Sequence, residues 1–346
     1  MEQYLQHCLQ TAYNMGASDI HFTVGIPPVF RCDGDLRKVG DQALSPEDTE
    51  TIAKEILPRE EWAILVEKGE VDYSYSMPGV SRFRVNVYFQ RSHIALALRV
   101  LPVTIPTVEE LQLPHIIKQI ATLSQGLILV TGPTGSGKST TLAAIIRYIN
   151  ETMSKHIVTL EQPIEYLHQH GNCIIEQREI GQDTQNFSSG LRAALRQDPD
   201  CILVGEMRDM ETMQTALSAA ETGHLVLATL HTIDAPSTIH RILDSFPGNQ
   251  QPQIRSQLAS VCQAIIAQRL LPRREGGRVV ALEILTHTNS IANLIRNDKI
   301  HQIPNVLMTS KQLGMQTMSM HVQSLLRESV ITSEIAAPFL VETRYS

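Results

Sequence analysis

The stretch GPTGSGKST, residues 132–140, constrains the fold more than any other part of this 346-residue chain. It lies between the apolar run LILV and the helix-like TTLAAIIRYIN. Residues 132–139 match G-x-x-x-x-G-K-S, and a chance match in a chain of this length is on the order of one per cent. Context narrows the meaning, because the pattern must follow a buried strand and open a helix, and here it does both. Glycines let backbone N–H groups curl around phosphate oxygens, and the helix start adds partial positive charge. The whole loop, Gly132, Pro133, Thr134, Gly135, Ser136, Gly137, Lys138, Ser139 and Thr140, is therefore expected to hold a nucleoside triphosphate. Lys138 is placed to reach the β- and γ-phosphates and the Ser139 hydroxyl to hold Mg²⁺.

Length and composition limit the rest. A chain this long has room for two domains. With 42% hydrophobic and 19% charged residues it reads as an ordinary globular protein. Its formal net charge of −7 argues against non-specific nucleic-acid binding, which needs a basic surface. Cys8, Cys32, Cys173, Cys201 and Cys262 are scattered, without a C-x-x-C pair, and suggest neither a disulfide framework nor a zinc cassette. The start MEQYLQHCLQ lacks the pattern of a secretory signal. No apolar run approaches the roughly 18 residues of a membrane helix. A cytoplasmic chain without membrane insertion is expected, reaching any membrane through partners.

Helical spacing at Leu5, Leu9 and Ala12 ends near Gly16. Alternating segments follow in DIHFTV, VFRCDG, VDYSYS, SRFRVNVYF and IALALRVL, so residues 1–100 read as a small α/β domain. The proline-bearing stretch 101–113 reads as a linker. From 114 to 285 the apolar runs GLILVTG, KHIVTLE, PDCILVGE and GHLVLATLH alternate with helical segments. That pattern predicts an α/β core, a mostly parallel sheet with helices on both faces. Residues 286–346 read as a helical region.

Three further segments supply candidate chemistry. CILVGEMRD carries Glu206 at the carboxyl end of a strand, where a carboxylate can join a Mg²⁺ shell. TLEQPIEY places Glu161 and Glu165 around Pro163, so that either can polarise an attacking water. His224 and His231 bracket the strand in GHLVLATLHTIDAPSTIHRI; no third ligand has metal-site spacing. The HQH at His168 and His170 reads as a solvated loop. Arg84 and Arg99 lie on successive strands, and Arg192 and Arg196 share a helix face.

Taken in order, these segments resemble the secretion ATPases of the type II/type IV pilus superfamily, and within it the retraction ATPases of type IV pili. GASDIHFTVGIPPVFRCDGDLRKV resembles the N-terminal signature of that family and GPTGSGKST its Walker A loop. TLEQPIEY resembles its Asp box, RQDPDCILVGEMRD its Walker B segment, and GHLVLATLHTIDAPSTIHRI its His box. The resemblance implies a PAS-like N-terminal domain joined flexibly to a RecA-like ATPase core, assembled as a homo-hexamer with ATP between the domains. It implies ATP hydrolysis that drives pilus retraction, on the cytoplasmic face of the inner membrane, through contact with a pilus platform protein. By position it makes Glu206 the Walker B acid, Glu165 the water-activating carboxylate with Glu161 in reserve, and His224 and His231 the His-box pair. Arg84 and Arg99 then become cations offered to the phosphates; Arg192, Arg196 and Arg241 are weaker correspondences.

Two departures stand out. Gln162 replaces the usual Asp of the Asp box. In SIANLIRN, residues 290–297, Ala292 replaces an arginine while Asn293, Leu294, Ile295 and Arg296 are kept. Extension, competence-pilus and type II secretion members share the nucleotide motifs but usually carry a longer N-terminal region and a four-cysteine zinc module after the His box; a compact extension, competence-pilus or type II secretion assembly ATPase is the second reading. Only Cys262 follows His231 here. A non-hydrolysing nucleotide-dependent scaffold is the third reading, supported by Gln162 alone.

Overall fold

The computed structural model describes residues 2–102 and 104–340. Position 103, in the expected linker, and 341–346, at the end of the expected C-terminal region, lie outside the described residues. The chain divides into two compact units, 1–104 and 105–346.

The first unit opens with α1 (Glu2–Asn14), whose Leu5, Leu9 and Ala12 are buried, and continues through β1 (Asp19–Phe22), β2 (Val29–Cys32) and β3 (Asp35–Lys38). Two helices follow, α2 (Pro46–Ile56) and α3 (Arg59–Lys68), then β4 (Glu70–Met77), β5 (Ser81–Gln90) and β6 (His93–Val100). Ser45 caps α2 by a reciprocal pair of hydrogen bonds with Asp48, which satisfies two otherwise orphaned backbone donors. The six strands form one antiparallel sheet in the order β3-β2-β1-β6-β5-β4. Phe22, Phe30, Phe83 and Leu98 join helix residues Leu5, Leu9 and Ile52 in its core. This is the PAS-like α/β domain expected.

The second unit starts with α4 (Ile116–Ala121), β7 (Gly126–Thr131), α5 (Lys138–Thr152) and β8 (His156–Glu161). It continues with β9 (Ile174–Glu179), α6 (Phe187–Ala194), β10 (Cys201–Val204), α7 (Met210–Glu221) and β11 (Leu225–Leu230). Then come α8 (Ala235–Asp244), α9 (Gln251–Val261), β12 (Cys262–Pro272) and β13 (Arg278–Thr286). The chain closes with α10 (Asn289–Arg296), α11 (Ile303–Thr309), α12 (Met318–Arg327) and α13 (Ser333–Leu340). The seven strands run β13-β12-β7-β11-β10-β8-β9, parallel throughout except for β13. Every residue of β7, β10 and β11 is buried, as a sheet covered on both faces requires. Two apolar clusters flank the sheet, and a third seats α12 and α13 against β12 and β13. This is the RecA-like core expected. Among the described residues no helix is long and apolar enough to cross a membrane.

Leu129, at the centre of β7, has no exposed surface. Leu129→Ala should cost about 3 kcal/mol of stability, from lost burial plus the cavity left behind. Urea denaturation followed by circular dichroism checks this; a loss below about 1 kcal/mol would contradict the packing of β7 described above.

Candidate active site

Because the strands are parallel, β7, β8, β10 and β11 end on one edge of the sheet. Glu161 closes β8, Glu206 follows β10 by two residues, and His231 directly follows β11. A cavity of about 390 Å³ opens there. Thr134, Gly135, Gly137, Lys138, Ser139 and Thr140 line one wall; Glu161, Glu165, Glu206 and His231 line the other.

The loop between β7 and α5 is closely packed from behind. A Cβ at Gly132, where φ is +143°, would sit 2.4 Å from the Gln268 carbonyl oxygen and 2.6 Å from Ser136 Oγ. At Gly137, where φ is +88°, it would meet Gln268 Nε2 at 2.9 Å. Gly132, Pro133 and Ser136 do not line the cavity but shape the loop. Lys138 Nζ donates to the Gly132 and Pro133 carbonyl oxygens at 2.8 and 3.1 Å. Burial pulls the Lys138 ammonium below the ordinary lysine range, and the charges of Glu206 and Glu165 oppose that pull. Thr140 Oγ1 lies 2.9 Å from Tyr166 Oη. The buried Ser136 Oγ has no partner among the described residues. A glycine-lined loop with a lysine and a helix start at its rim suits an anionic phosphate chain.

Facing the loop, Glu206 is held at both oxygens, Oε2 by Arg208 Nη2 at 2.8 Å and Oε1 by His231 Nε2 at 3.0 Å. Burial works to raise its carboxyl. The Arg208 hydrogen bond and the charges of His231 and Arg208 outweigh burial and hold it below the usual carboxylate range. The carboxylate of Glu206 and the hydroxyl of Ser139 are hard oxygen donors that suit Mg²⁺. Among the described residues no group of three His, Cys, Asp or Glu side chains is placed to hold a metal. An ion held by these two residues would therefore keep phosphate oxygens and waters as its other ligands, which is the usual habit of Mg²⁺.

The two carboxylates of TLEQPIEY differ. Glu161 Oε1 accepts from Thr159 Oγ1 at 2.7 Å and from Gln177 Nε2 at 3.0 Å. Burial nonetheless pushes the Glu161 carboxyl above the usual range. Glu165 is exposed in the cavity, and its carboxylate takes no hydrogen bond among the described residues. Gln162 also lines the cavity.

The remaining candidates are more dispersed. His224 precedes β11 while His231 follows it, so the strand sets them roughly 20 Å apart on opposite edges of the sheet. His224 Nδ1 lies 3.0 Å from the Ala219 carbonyl oxygen, and the residue does not line the cavity. Arg84 and Arg99 are exposed and stand directly opposite each other on β5 and β6 of the first unit. Asp19, the next residue in that row, takes Arg99 Nε at 3.0 Å. Arg192 pairs with Glu211, and Arg196 Nη1 donates to the Arg192 carbonyl oxygen at 2.9 Å.

One loop reading needs correction. His168 is not solvated: it is half-buried, lines the cavity, and burial pushes its imidazole down to about 4. Its backbone N–H donates to Gln177 Oε1 at 2.8 Å, while Gln177 Nε2 also donates to the Tyr166 carbonyl oxygen at 2.8 Å. Gln177 thus organises the segment from β9, a strand absent from the sequence reading. Arg208 was missed as well, because nothing in GEMRD separates it from an ordinary surface arginine.

This geometry ranks the two carboxylates. Glu165→Gln should depress ATP turnover by about 10²-fold or more. Glu161→Gln keeps an oxygen for Thr159 and Gln177 and should stay within about tenfold of wild type. Steady-state hydrolysis of both variants decides; the reverse ranking would exchange their roles.

Comparison with known proteins agrees with these motifs. Residues 1–276 match the family described as type II/IV secretion system protein. The type IV pilus retraction ATPase PilT of Pseudomonas aeruginosa is 45% identical over 93% of either chain. A twitching motility protein of Neisseria gonorrhoeae is 47% identical over 89% of this chain and 83% of its own. A crystal structure of the pilus retraction motor PilT with bound ADP superposes with a TM-score of 0.91 at 49% identity, covering 96% of each chain. By sequence and by fold, the chain belongs to the type II/IV secretion system protein family.

Proposed function

We propose that this chain is the motor ATPase of type IV pilus retraction, hydrolysing ATP with Mg²⁺ and coupling the reaction to filament disassembly. The observation that carries the proposal is the convergence of the phosphate loop, Glu165 and Glu206 on one cavity, in a chain so similar to PilT along nearly its whole length.

The chemistry follows from the residues. Lys138 exchanges the Gly132 and Pro133 carbonyls for β- and γ-phosphate oxygens. Glu206 and Ser139 would hold Mg²⁺, which neutralises charge on those oxygens; Arg208 and His231 must yield at least one Glu206 oxygen for this. Glu165 takes a proton from a water whose oxygen bonds to the γ-phosphorus. The bond from that phosphorus to the β–γ bridging oxygen breaks, giving ADP and inorganic phosphate. Lys138 meets the charge that develops on the bridging oxygen.

Assembly is part of the same reading. We take the chain to work as a homo-hexamer at the cytoplasmic face of the membrane, docked on a pilus platform protein. Residues 1–100 act as the N-terminal domain, 101–113 as the interdomain linker, 114–285 as the ATPase core and 286–346 as the C-terminal helical region. Arg84 and Arg99 supply cations to the phosphates, whereas His224, paired with His231 by the family resemblance, does not line the cavity. In α10, Ile291, Ala292 and Ile295 are buried, whereas Asn293 and Arg296 are exposed, as is Asn297 at the helix end. That exposed face is assigned to mechanical output.

Lys138→Ala removes the principal fixed charge on the phosphates and should abolish measurable ATP hydrolysis while the protein stays folded. Turnover above about a tenth of wild type would overturn the loop assignment. Replacing Asn293 and Arg296 together by Ala should leave hydrolysis at roughly half the wild-type rate or better. In cells the same change should stop retraction while surface pili persist; loss of pili would instead mark an extension motor.

A further inference from the structure

The phosphate loop leans on one buried amide that none of the motifs contains. Gln268 lies on β12, one residue beyond Ala267, the last residue of that strand paired with β7. There β12 runs on behind the loop. Gln268 is 2% exposed. Its Nε2 donates to the Ser136 carbonyl oxygen at 2.6 Å, and its Oε1 accepts from Thr141 Oγ1 at 2.8 Å. Thr141 belongs to the first turn of α5, so one side chain grips both the loop and the helix it opens.

These two bonds fix the amide's orientation. Turned over, Oε1 would face the Ser136 carbonyl, acceptor against acceptor. They also fix the Ser136–Gly137 peptide. That peptide is trans, so its C=O and N–H point in opposite directions. With the Ser136 oxygen drawn back to Gln268, the Gly137 N–H is turned the other way. Gly137 lines the cavity, whereas Ser136 does not. The Gly137 N–H has no partner among the described residues.

We propose that Gln268 is a positioning residue for the phosphate chain, holding the Ser136–Gly137 peptide so that the Gly137 N–H is aimed at a phosphate oxygen. The inference rests on the nucleotide-binding reading above and adds a residue to it. Gln268 touches no substrate and acts only through the loop. The contact it prepares is made by a diphosphate as well as a triphosphate, so its loss weakens binding before it slows chemistry.

Gln268→Met isolates the effect, because it fills nearly the same volume, adds no charge beside the phosphates and cannot donate to the Ser136 oxygen. ADP affinity measured by calorimetry on the full chain should fall about tenfold or more, the size of one charge-assisted hydrogen bond. KM for ATP should rise in proportion, with kcat changed less than threefold. Inorganic pyrophosphate, used as a competitor, should lose affinity by the same factor, since the contact is to phosphate and not to the base. Gln268→Leu should behave likewise, and Thr141→Val should add little to it, because both remove one unit. If Gln268→Leu does not fold, Gln268→Met with an intact thermal transition carries the test alone. ADP affinity within twofold of wild type in folded Gln268→Met overturns the inference. So does a fall in kcat at unchanged affinity, or weaker ADP with unaltered pyrophosphate. A wild-type chain that binds no ADP would instead overturn the nucleotide reading itself.

Discussion

The architecture depends on a glycine-rich loop whose backbone must close tightly between β7 and α5. Bare N–H groups can converge only where side chains are missing, and the glycines at 132 and 137 are pressed against Gln268 from behind. Closing the loop also needs a rigid support on each side. Buried β7 supplies one and the first turn of α5 the other. Parallel pairing then does the remaining placement. With β7, β11, β10 and β8 running the same way, whatever follows each strand arrives at the same edge. Glu161, Glu206 and His231 come from three distant segments, yet need no long loops to meet the phosphate loop.

The charges at that edge are already paired within the chain. Lys138 is satisfied by carbonyl oxygens of its own loop, and Glu206 by Arg208 and His231. Leaving such groups unpaired in a half-buried cleft would be costly, since removing water from a charge is repaid only by a partner. On the proposed reading, nucleotide binding is therefore an exchange of partners. Arg208 is well placed for it, because its side chain is 66% exposed and releasing it to water costs little.

Much of this was legible in the sequence, for identifiable reasons. The loop shows through its spacing, and β7, β8, β10 and β11 show as unbroken apolar runs because both faces of the sheet are covered. β9 escaped detection: it lies at the sheet edge, and in IIEQRE only Ile175 and Glu179 are buried, among polar and charged neighbours. β3 has no buried residue and carries no hydrophobic signal. The two histidines of the His box look symmetrical in sequence, and only the intervening strand sends them to opposite edges. His168 reads as loop because its half-buried setting comes from tertiary packing. Gln268 was hidden for a similar reason: a lone amide in a strand says nothing until the loop it grips is seen.

The central claim is that phosphate binding and hydrolysis are separable tasks on one sheet edge, with Glu206 needed for the second. Steady-state hydrolysis and ADP affinity of Glu206→Gln test it most directly. The amide keeps an oxygen for one neighbour but loses the charge that would hold a divalent cation on the proposed reading. The expected result is ADP affinity within about tenfold of wild type and turnover lower by ~10²-fold or more. Turnover close to wild type, or affinity lost as completely as turnover, would contradict it.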